Sequence, residues 1–407
     1  MTYDIIIIGN SAAGLTVLKT LRRLNRDVSI ALIDREDVPA YSRVLTPYYI
    51  GGDTSRKNLF LVAMAFYGDL GVDTFFGKNA VSVDGGKRQV LLDDATGLSY
   101  RNLLIATGAE SKEIGIRHER VLGLRHLRDA DRLRALFQNA ASVVGLGAGL
   151  VTLPTLSHLA PGVEKSLVVS SGRILSRVLD AEGSLILEER MKQQGIAIYK
   201  KDDISDVQGT ERLAVRLASG AVVKSDVVLV GKGVTPNVEL ARKAGCSVDR
   251  GIIIDEYCRT TVEGIWAAGD NAQGVDFVTG GKVVQGNWIT AVEQGEIAAM
   301  NMLNVGVRYA GSLRNNTTEI FGHDIAVAGY TGDDAPQTLS YVYEDVRLYR
   351  KIFLDKKERV IGVSMIGETN DAGIYYGLIR RRAKLADSTA INHQQNYART
   401  LHSMDYR

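Results

Sequence analysis

The chain has 407 residues, of which 45% are apolar and 24% charged, and its net charge is +2. That length predicts two or three domains with ample core, and the near-neutral balance offers no field to attract nucleic acid or an anionic membrane. No run reaches the roughly 18 apolar residues needed to span a bilayer, and no basic leader precedes the first strand, so the cytoplasm is the expected compartment.

The first 35 residues carry the most informative pattern. A buried strand over Asp4–Ile8 enters a loop containing Gly9, Ser11 and Gly14. A helix with Leu15, Leu18 and Leu21 follows, and a second strand ends on Asp34, twenty positions after Gly14. Small residues at such a turn let the backbone approach a pyrophosphate at a helix N-terminus, and the acid takes ribose hydroxyls. Ser11 stands where the middle glycine belongs, and an ordinary tight strand–helix turn uses the same residue types.

A β-meander is expected around Ala80–Leu92, turning at Asp84-Gly85-Gly86. Leu103–Glu110 reads as another buried strand, ending in Thr107-Gly108. Ser142–Leu146 makes a strand followed by GAGLVTLP. One register puts Gly147 and Gly149 on the first two glycines of GxGxxG and Thr152 on the third; the other starts at Gly145 and puts Leu150 there. The first leaves the longer apolar strand. Pro154 is tolerated in a first helical turn. The strand Ser166–Val169 ends in serines, Ser170 and Ser171, with Arg173 just beyond. Without a carboxylate there, a ribose diol loses its main acceptor, while Arg173 with the serines suits a 2′-phosphate; Arg173 as a merely solvated side chain fits equally.

Further along, Gly251–Ala272 holds a short strand and an apolar run ending in Gly269-Asp270. Strands are expected at Ile325–Ala328, Leu348–Leu354 and Val360–Met365, and a helix over Asp371–Leu385. The basic run Arg380–Arg382 with Lys384 suits an acidic partner, or simply a solvated helix end. After Leu385 the chain is polar and aperiodic. Six histidines lack metal-ligand spacing.

Taken together, the segments around Gly9–Gly14, Leu103–Glu110 and Gly251–Ala272 resemble the FAD-binding fingerprints of the pyridine nucleotide-disulfide oxidoreductase superfamily, over nearly the whole chain. The resemblance implies an α/β fold with two Rossmann-like dinucleotide-binding domains and a C-terminal α+β domain. It implies an FAD domain in two segments (1–111 and 237–308), an inserted NAD(P)H-binding-like domain (112–236) and an interface domain (309–407). It implies FAD contacts from Gly9, Ser11, Ala13, Gly14, Asp34, Val81, Thr107, Gly108, Gly269 and Asp270. Asp34 would hold the adenosine ribose and Asp270 the ribityl and pyrophosphate region. NADH or NADPH would meet Gly147, Gly149, Thr152, Ser170 and Gly233, the last within a GxxPN-like turn of Asp226–Gly245.

The redox cysteines of the superfamily are missing. YSRVLTPYYIGG (Tyr41–Gly52) aligns with the segment that carries one, and Val44 occupies its position; valine forms neither thiolate nor sulfenic acid. Only Cys246 and Cys258 exist, too few for a cysteine-ligated cluster, and Cys258 reads as a small packed residue. What remains resembles the cysteine-less branch of NADH:rubredoxin reductases, ferredoxin reductases and nitrite reductase flavin domains, which pass electrons from NAD(P)H through non-covalent FAD to a redox protein. In that branch Arg43 would lie beside the isoalloxazine, Trp288 would pack near it, and Arg125 would approach the cofactor; Trp288 as core and Arg125 as surface are the plain alternatives. The expected partner is a rubredoxin-like, ferredoxin-like or other redox protein or subunit, and the expected assembly a homodimer or a larger complex. Two other readings stay open: a flavin-only relay subunit with a degenerate nicotinamide site, and a flavoprotein scaffold.

Overall fold

Ile5–Ile8 sit in the middle of a sheet because an uninterrupted apolar run buries on both faces. Full burial of each such side chain contributes about 1.5–3 kcal/mol. The structure is a computed structural model and describes residues 2–343 and 348–385; the polar tail after Leu385 lies outside them. The first strand, Thr2–Ile8, pairs in parallel with Ile30–Asp34 and Gly97–Ile105. Val72–Phe76 and Ile265–Ala267 add parallel strands, and the meander strands Ala80–Asp84 and Gln89–Leu92 complete seven.

The helix Ala12–Leu24 buries Leu15, Leu18 and Leu21. It packs against the helix Trp288–Met302 through Gly295, where a Cβ would stand 2.7 Å from the Ala13 carbonyl oxygen. Met1–Tyr49, Asp53–Lys112 and Val234–Leu313 form one compact unit.

The second unit comprises Ile50–Gly52, Glu113–Gly233 and the described residues from Arg314 onward. It contains a parallel five-stranded sheet in the order Ala197–Lys200, Glu164–Val169, Ser142–Leu146, Val227–Val230, Val121–Gly123. It also contains an antiparallel five-stranded sheet in the order Asn315–Ile320, His323–Gly329, Val360–Ile366, Leu348–Leu354, Gln337–Tyr343. The helix expected over Asp371–Leu385 spans Ala372–Arg381 only. Arg382 adopts a left-handed conformation at φ 53° and ends it, and the chain turns so that the Ala383 carbonyl accepts from Val360 N.

A buried polar cluster ties this antiparallel sheet to the helix Ala181–Gln193. Tyr349, fully buried, donates to Asp180 Oδ2 at 2.6 Å, and Lys351 Nζ approaches the same oxygen at 3.1 Å. Burial and the two acids push the tyrosine hydroxyl far up, so it serves only as a donor. Tyr349→Phe removes that donor from a fully buried carboxylate. It is expected to cost about 1–3 kcal/mol in urea unfolding.

Candidate nucleotide sites

The first site is built where the Thr2–Ile8 strand meets the helix Ala12–Leu24. Gly9 takes φ +109°, and a Cβ there would stand 2.2 Å from the Ala106 carbonyl oxygen; a Cβ at Gly14 would stand 1.8 Å from the Gly9 oxygen. Only glycine lets this turn close. Ser11 is the N-cap residue but its side chain makes no capping bond. Its hydroxyl therefore leaves the first-turn N–H groups uncapped, as binding of an anion there would require.

Asp34 ends the second strand beside this turn. Its Oδ2 accepts from Asn10 N at 2.6 Å and its Oδ1 from Glu36 N at 2.8 Å. Burial pushes its carboxyl up; the Glu36 and Asn10 N–H groups and Arg43 work against that. Arg43 shares a small cleft with Asp34, Glu36, Ser11 and Tyr41. It pairs with Glu36 at 3.0 Å and lies 4.9 Å from the Tyr41 ring centroid. Burial disfavours its charge, but Tyr41, Glu36 and Asp34 outweigh burial and hold the guanidinium above its ordinary value. Arg43, expected beside the isoalloxazine, thus stands with Asp34 at the end where an adenosine ribose is expected. Glu36 was passed over in the sequence. The acid two residues past the strand end, seven before Arg43, is its only signal.

Thr107 and Gly108 lie on the crossover next to the turn. Thr107 Oγ1 donates to the Asn237 carbonyl at 3.0 Å, and Asn237 Nδ2 returns a bond to the Thr107 carbonyl at 2.8 Å. Asn271 Nδ2 adds a bond to Thr107 Oγ1 at 3.1 Å. The Asn of the GxxPN-like turn is therefore the pin of this crossover. Gly269 N donates to Gln294 Oε1 at 2.8 Å, which sets Asp270 next to the helix Trp288–Met302; a Cβ at Gly286 would lie 3.6 Å from Asp270 Oδ1. Asn287 caps that helix through Thr290 N at 2.7 Å. Asn287 Nδ2 and Thr290 Oγ1 are buried there without a partner, and such groups are commonly satisfied by a ligand or water. Trp288 opens the helix half-buried against the core. Val81 lies on the Ala80–Asp84 strand with its carbonyl accepting Lys243 Nζ at 2.8 Å. The close glycine turn, the two acids with Arg43, and the orphaned polar atoms at a helix N-terminus fit a flavin dinucleotide.

The second turn repeats the first. Gly147 takes φ +94°, and a Cβ there would stand 2.4 Å from the Gly231 carbonyl oxygen. Gly145 is inside the strand, paired with Leu167 and Leu229, so the chain turns at Gly147. A Cβ at Gly149 or Gly233 would meet nothing within 4 Å. Thr152 is fully buried, and the helix it begins runs only Thr152–Ser157. Its side chain fills space left by two other glycines: a Cβ at Gly145 would lie 2.6 Å from Thr152 Cγ2, and one at Gly231 would lie 2.0 Å from Thr152 Oγ1. Ser170 Oγ donates to Asp203 Oδ2 at 3.3 Å, and Lys232 pairs with the same carboxylate. Arg173 is taken by Asp333 at 2.7 Å and by the Ser176 carbonyl at 3.3 Å. Arg125 lies in this unit, its backbone N–H donating to Asp129 Oδ2 at 3.1 Å.

The family described as pyridine nucleotide-disulphide oxidoreductase matches residues 3–295. The chain belongs to this family. It is similar to the assimilatory nitrate reductase electron transfer subunit of Bacillus subtilis (strain 168), with 29% identity over 378 residues, 90% of this chain and 48% of that one. This chain thus spans about half the length of that relative. It is also similar to the biphenyl dioxygenase system ferredoxin–NAD(+) reductase component of Paraburkholderia xenovorans (strain LB400), with 30% identity over 335 residues, 81% of each chain. Among solved structures, the covalent putidaredoxin reductase–putidaredoxin complex contains a chain matching the fold with a TM-score of 0.92 at 20% identity, covering 100% of this chain and 99% of that one.

The only cysteines in the sequence are Cys246 and Cys258. Val44, which the sequence resemblance matches to the redox-cysteine position, is 57% exposed. Cys246 and Cys258 are both buried, and burial pushes both thiols up, Cys258 furthest. A buried thiol held protonated is inert. The native protein is expected to show no reaction with a thiol reagent, while the unfolded chain titrates both cysteines. A Cys246→Ser/Cys258→Ser variant should keep artificial-acceptor activity within a few-fold; a hundredfold loss with flavin bound would show a redox thiol. The Thr152 contact has its own test. Gly231→Ala is expected to cost about 1–3 kcal/mol by overpacking. Thr152→Ala should recover most of that in the double variant, because the Thr152 Cβ lies 3.3 Å from the added carbon.

Proposed function

We propose that the chain is an FAD-dependent reductase that takes electrons from NADH or NADPH and passes them to a small redox protein or partner subunit. The observation that carries this reading is the pair of glycine turns, each closing against a crossover carbonyl, in a family member whose cysteines are buried. When bound, the flavin supplies the conversion of a two-electron hydride donor into single electrons. The residues around it bind and orient. The Gly9–Gly14 turn offers backbone N–H groups to the pyrophosphate. Asp34 and Glu36 accept from the adenosine ribose, and Arg43 balances their charge at that end rather than at the ring. Asp270 and Gly269 serve the ribityl region, with Thr107 and Gly108 on the adjoining crossover. The N-terminus of Trp288–Met302 favours negative charge on the flavin pyrimidine, and Trp288 offers a ring to pack on it. Gly147, Gly149, Gly233 and Ser170 serve the nicotinamide dinucleotide.

The names of the ferredoxin reductase component and the nitrate reductase electron transfer subunit support a ferredoxin-like acceptor or a partner subunit. No described helix is long and apolar enough to cross a membrane, which accords with a cytoplasmic reductase. The domain reading keeps residues 1–111 and 237–308 as the FAD domain, with 112–236 as the nucleotide domain and 309–407 as the interface domain.

The protein is expected to purify yellow, with FAD rather than FMN released by heat or acid and identified by chromatography. Asp270→Ala should strip much of it. Anaerobic titration with NADH and NADPH should bleach the flavin; bleaching by dithionite alone would favour a flavin relay subunit, and absence of flavin after reconstitution would overturn the reading.

A further inference from the structure

We propose that Asp203 is the ribose acceptor of the second nucleotide unit, and that this chain therefore prefers NADH although the strand that ordinarily carries the acid ends in serine. The inference rests on reading that unit as a nicotinamide-nucleotide site.

Dinucleotides bind outside the carboxyl ends of parallel strands, and an acid there takes the ribose hydroxyls. The strand Glu164–Val169 runs out into Ser170-Ser171-Gly172, with no carboxylate. Its parallel neighbour Ala197–Lys200 is in register with it, Val169 opposite Lys200. The chain continues three residues past that neighbour to Asp203, whose carboxylate returns to the empty corner: Ser170 Oγ donates to Asp203 Oδ2 at 3.3 Å. From the opposite side, Lys232 follows the strand Val227–Val230 and pairs with the same oxygen. The Lys232 backbone lies against the glycine turn, since a Cβ at Gly147 would stand 3.4 Å from Lys232 N. Acid, hydroxyl and ammonium from three separate loops thus converge beside the turn expected to hold the pyrophosphate.

Asp203 is held in place rather than loosely displayed. Its Oδ1 accepts from Ile204 N at 2.9 Å, its N–H donates to Asp202 Oδ1 at 2.9 Å, and its carbonyl accepts from Ala218 N at 2.8 Å. Its side chain is still 43% exposed, which leaves acceptor lone pairs open to a diol. The competing ligand is a 2′-phosphate. Arg173, the cation the sequence offers for it, is engaged by Asp333 and the Ser176 carbonyl. A phosphate dianion would sit against the Asp203 carboxylate, with Lys232 already neutralised by that acid. The lysine that remains is Lys201, whose stem lies over Gly172, 3.2 Å from where its Cβ would stand.

Calorimetric titration of the purified holoprotein with ADP-ribose and with 2′-phospho-ADP-ribose reads this corner without flavin reduction. The wild type is expected to bind ADP-ribose at least about tenfold more tightly. Asp203→Ala should weaken ADP-ribose about 10- to 100-fold, as for loss of a charged hydrogen-bond partner, and leave the phosphorylated ligand unchanged or tighter. Ser170→Asp in the Asp203→Ala background should restore ADP-ribose binding by returning a carboxylate to the corner. Unchanged flavin content and unfolding midpoint establish that the variants fold. Equal losses for both ligands, no loss for either, or a wild-type preference for the phosphorylated ligand would overturn the assignment of Asp203. A wild type that binds neither ligand would overturn the nucleotide reading of the whole unit.

Discussion

Both nucleotide units depend on one steric constraint: a turn glycine lies against the carbonyl that ends a neighbouring parallel strand. In the first unit Gly9 faces the Ala106 oxygen, and in the second Gly147 faces the Gly231 oxygen. Strand spacing in a parallel sheet is fixed by its hydrogen bonds, so a side chain here could be housed only by breaking the sheet or opening the turn. The positive φ at each turn follows, and so does the direction in which the next helix leaves. The two units differ in how they pack the residue five positions past the turn. In the first it is Gly14, and Ile7 on the strand supplies the bulk; in the second it is Thr152, and Gly145 takes the place of Ile7. Large and small have changed places across the same contact. A helix–strand packing usually secured by glycine on the helix is secured in the second unit by glycine on the strand.

That exchange explains what could be read from the sequence and what could not. Asp4–Ile8, Ser142–Leu146 and Leu348–Leu354 were legible because continuous apolar runs bounded by glycine or polar turns admit few other structures. The turn at Gly147 was legible because only that register leaves a full strand. The consequence of Thr152 was not. The missing third glycine is visible in one motif together with Gly145, but the other half of its compensation lies at Gly231, distant in sequence and adjacent only after the parallel crossover forms. Asp203 escaped for the same reason: it follows the next strand, and nothing in its own neighbourhood of sequence marks it. Arg43 shows a different limit. Its match to a family segment located the residue but not its neighbours, Glu36 and the Tyr41 ring, which are set by the fold.

Charge placement distinguishes the two units further. The first concentrates two acids, an arginine and a tyrosine around a buried corner, where low dielectric makes each pairing matter. Asp34 is costly to ionise there, and the N–H groups of Asn10 and Glu36 with the Arg43 charge offset that cost. Such an arrangement suits a ligand that stays. The second corner exposes its acid more, 43% against 17% for Glu36, and there pairing is worth less and exchanges readily. That suits a donor that must arrive and depart in each turnover.

The chemistry itself leaves little trace among ionisable side chains, because a flavin brings its own reactive atoms and the protein contributes binding, orientation and field. This is why the informative residues are glycines, carboxylates and helix caps rather than a nucleophile and its base. The burial of both cysteines fits that division. With Cys246 and Cys258 buried and held as thiols, neither cysteine offers electrons a sulfur relay, so in the proposed function the acceptor comes to the flavin itself. What the proposed reductase delivers to is then governed by the surface an acceptor can reach, while the two glycine turns govern only what it carries.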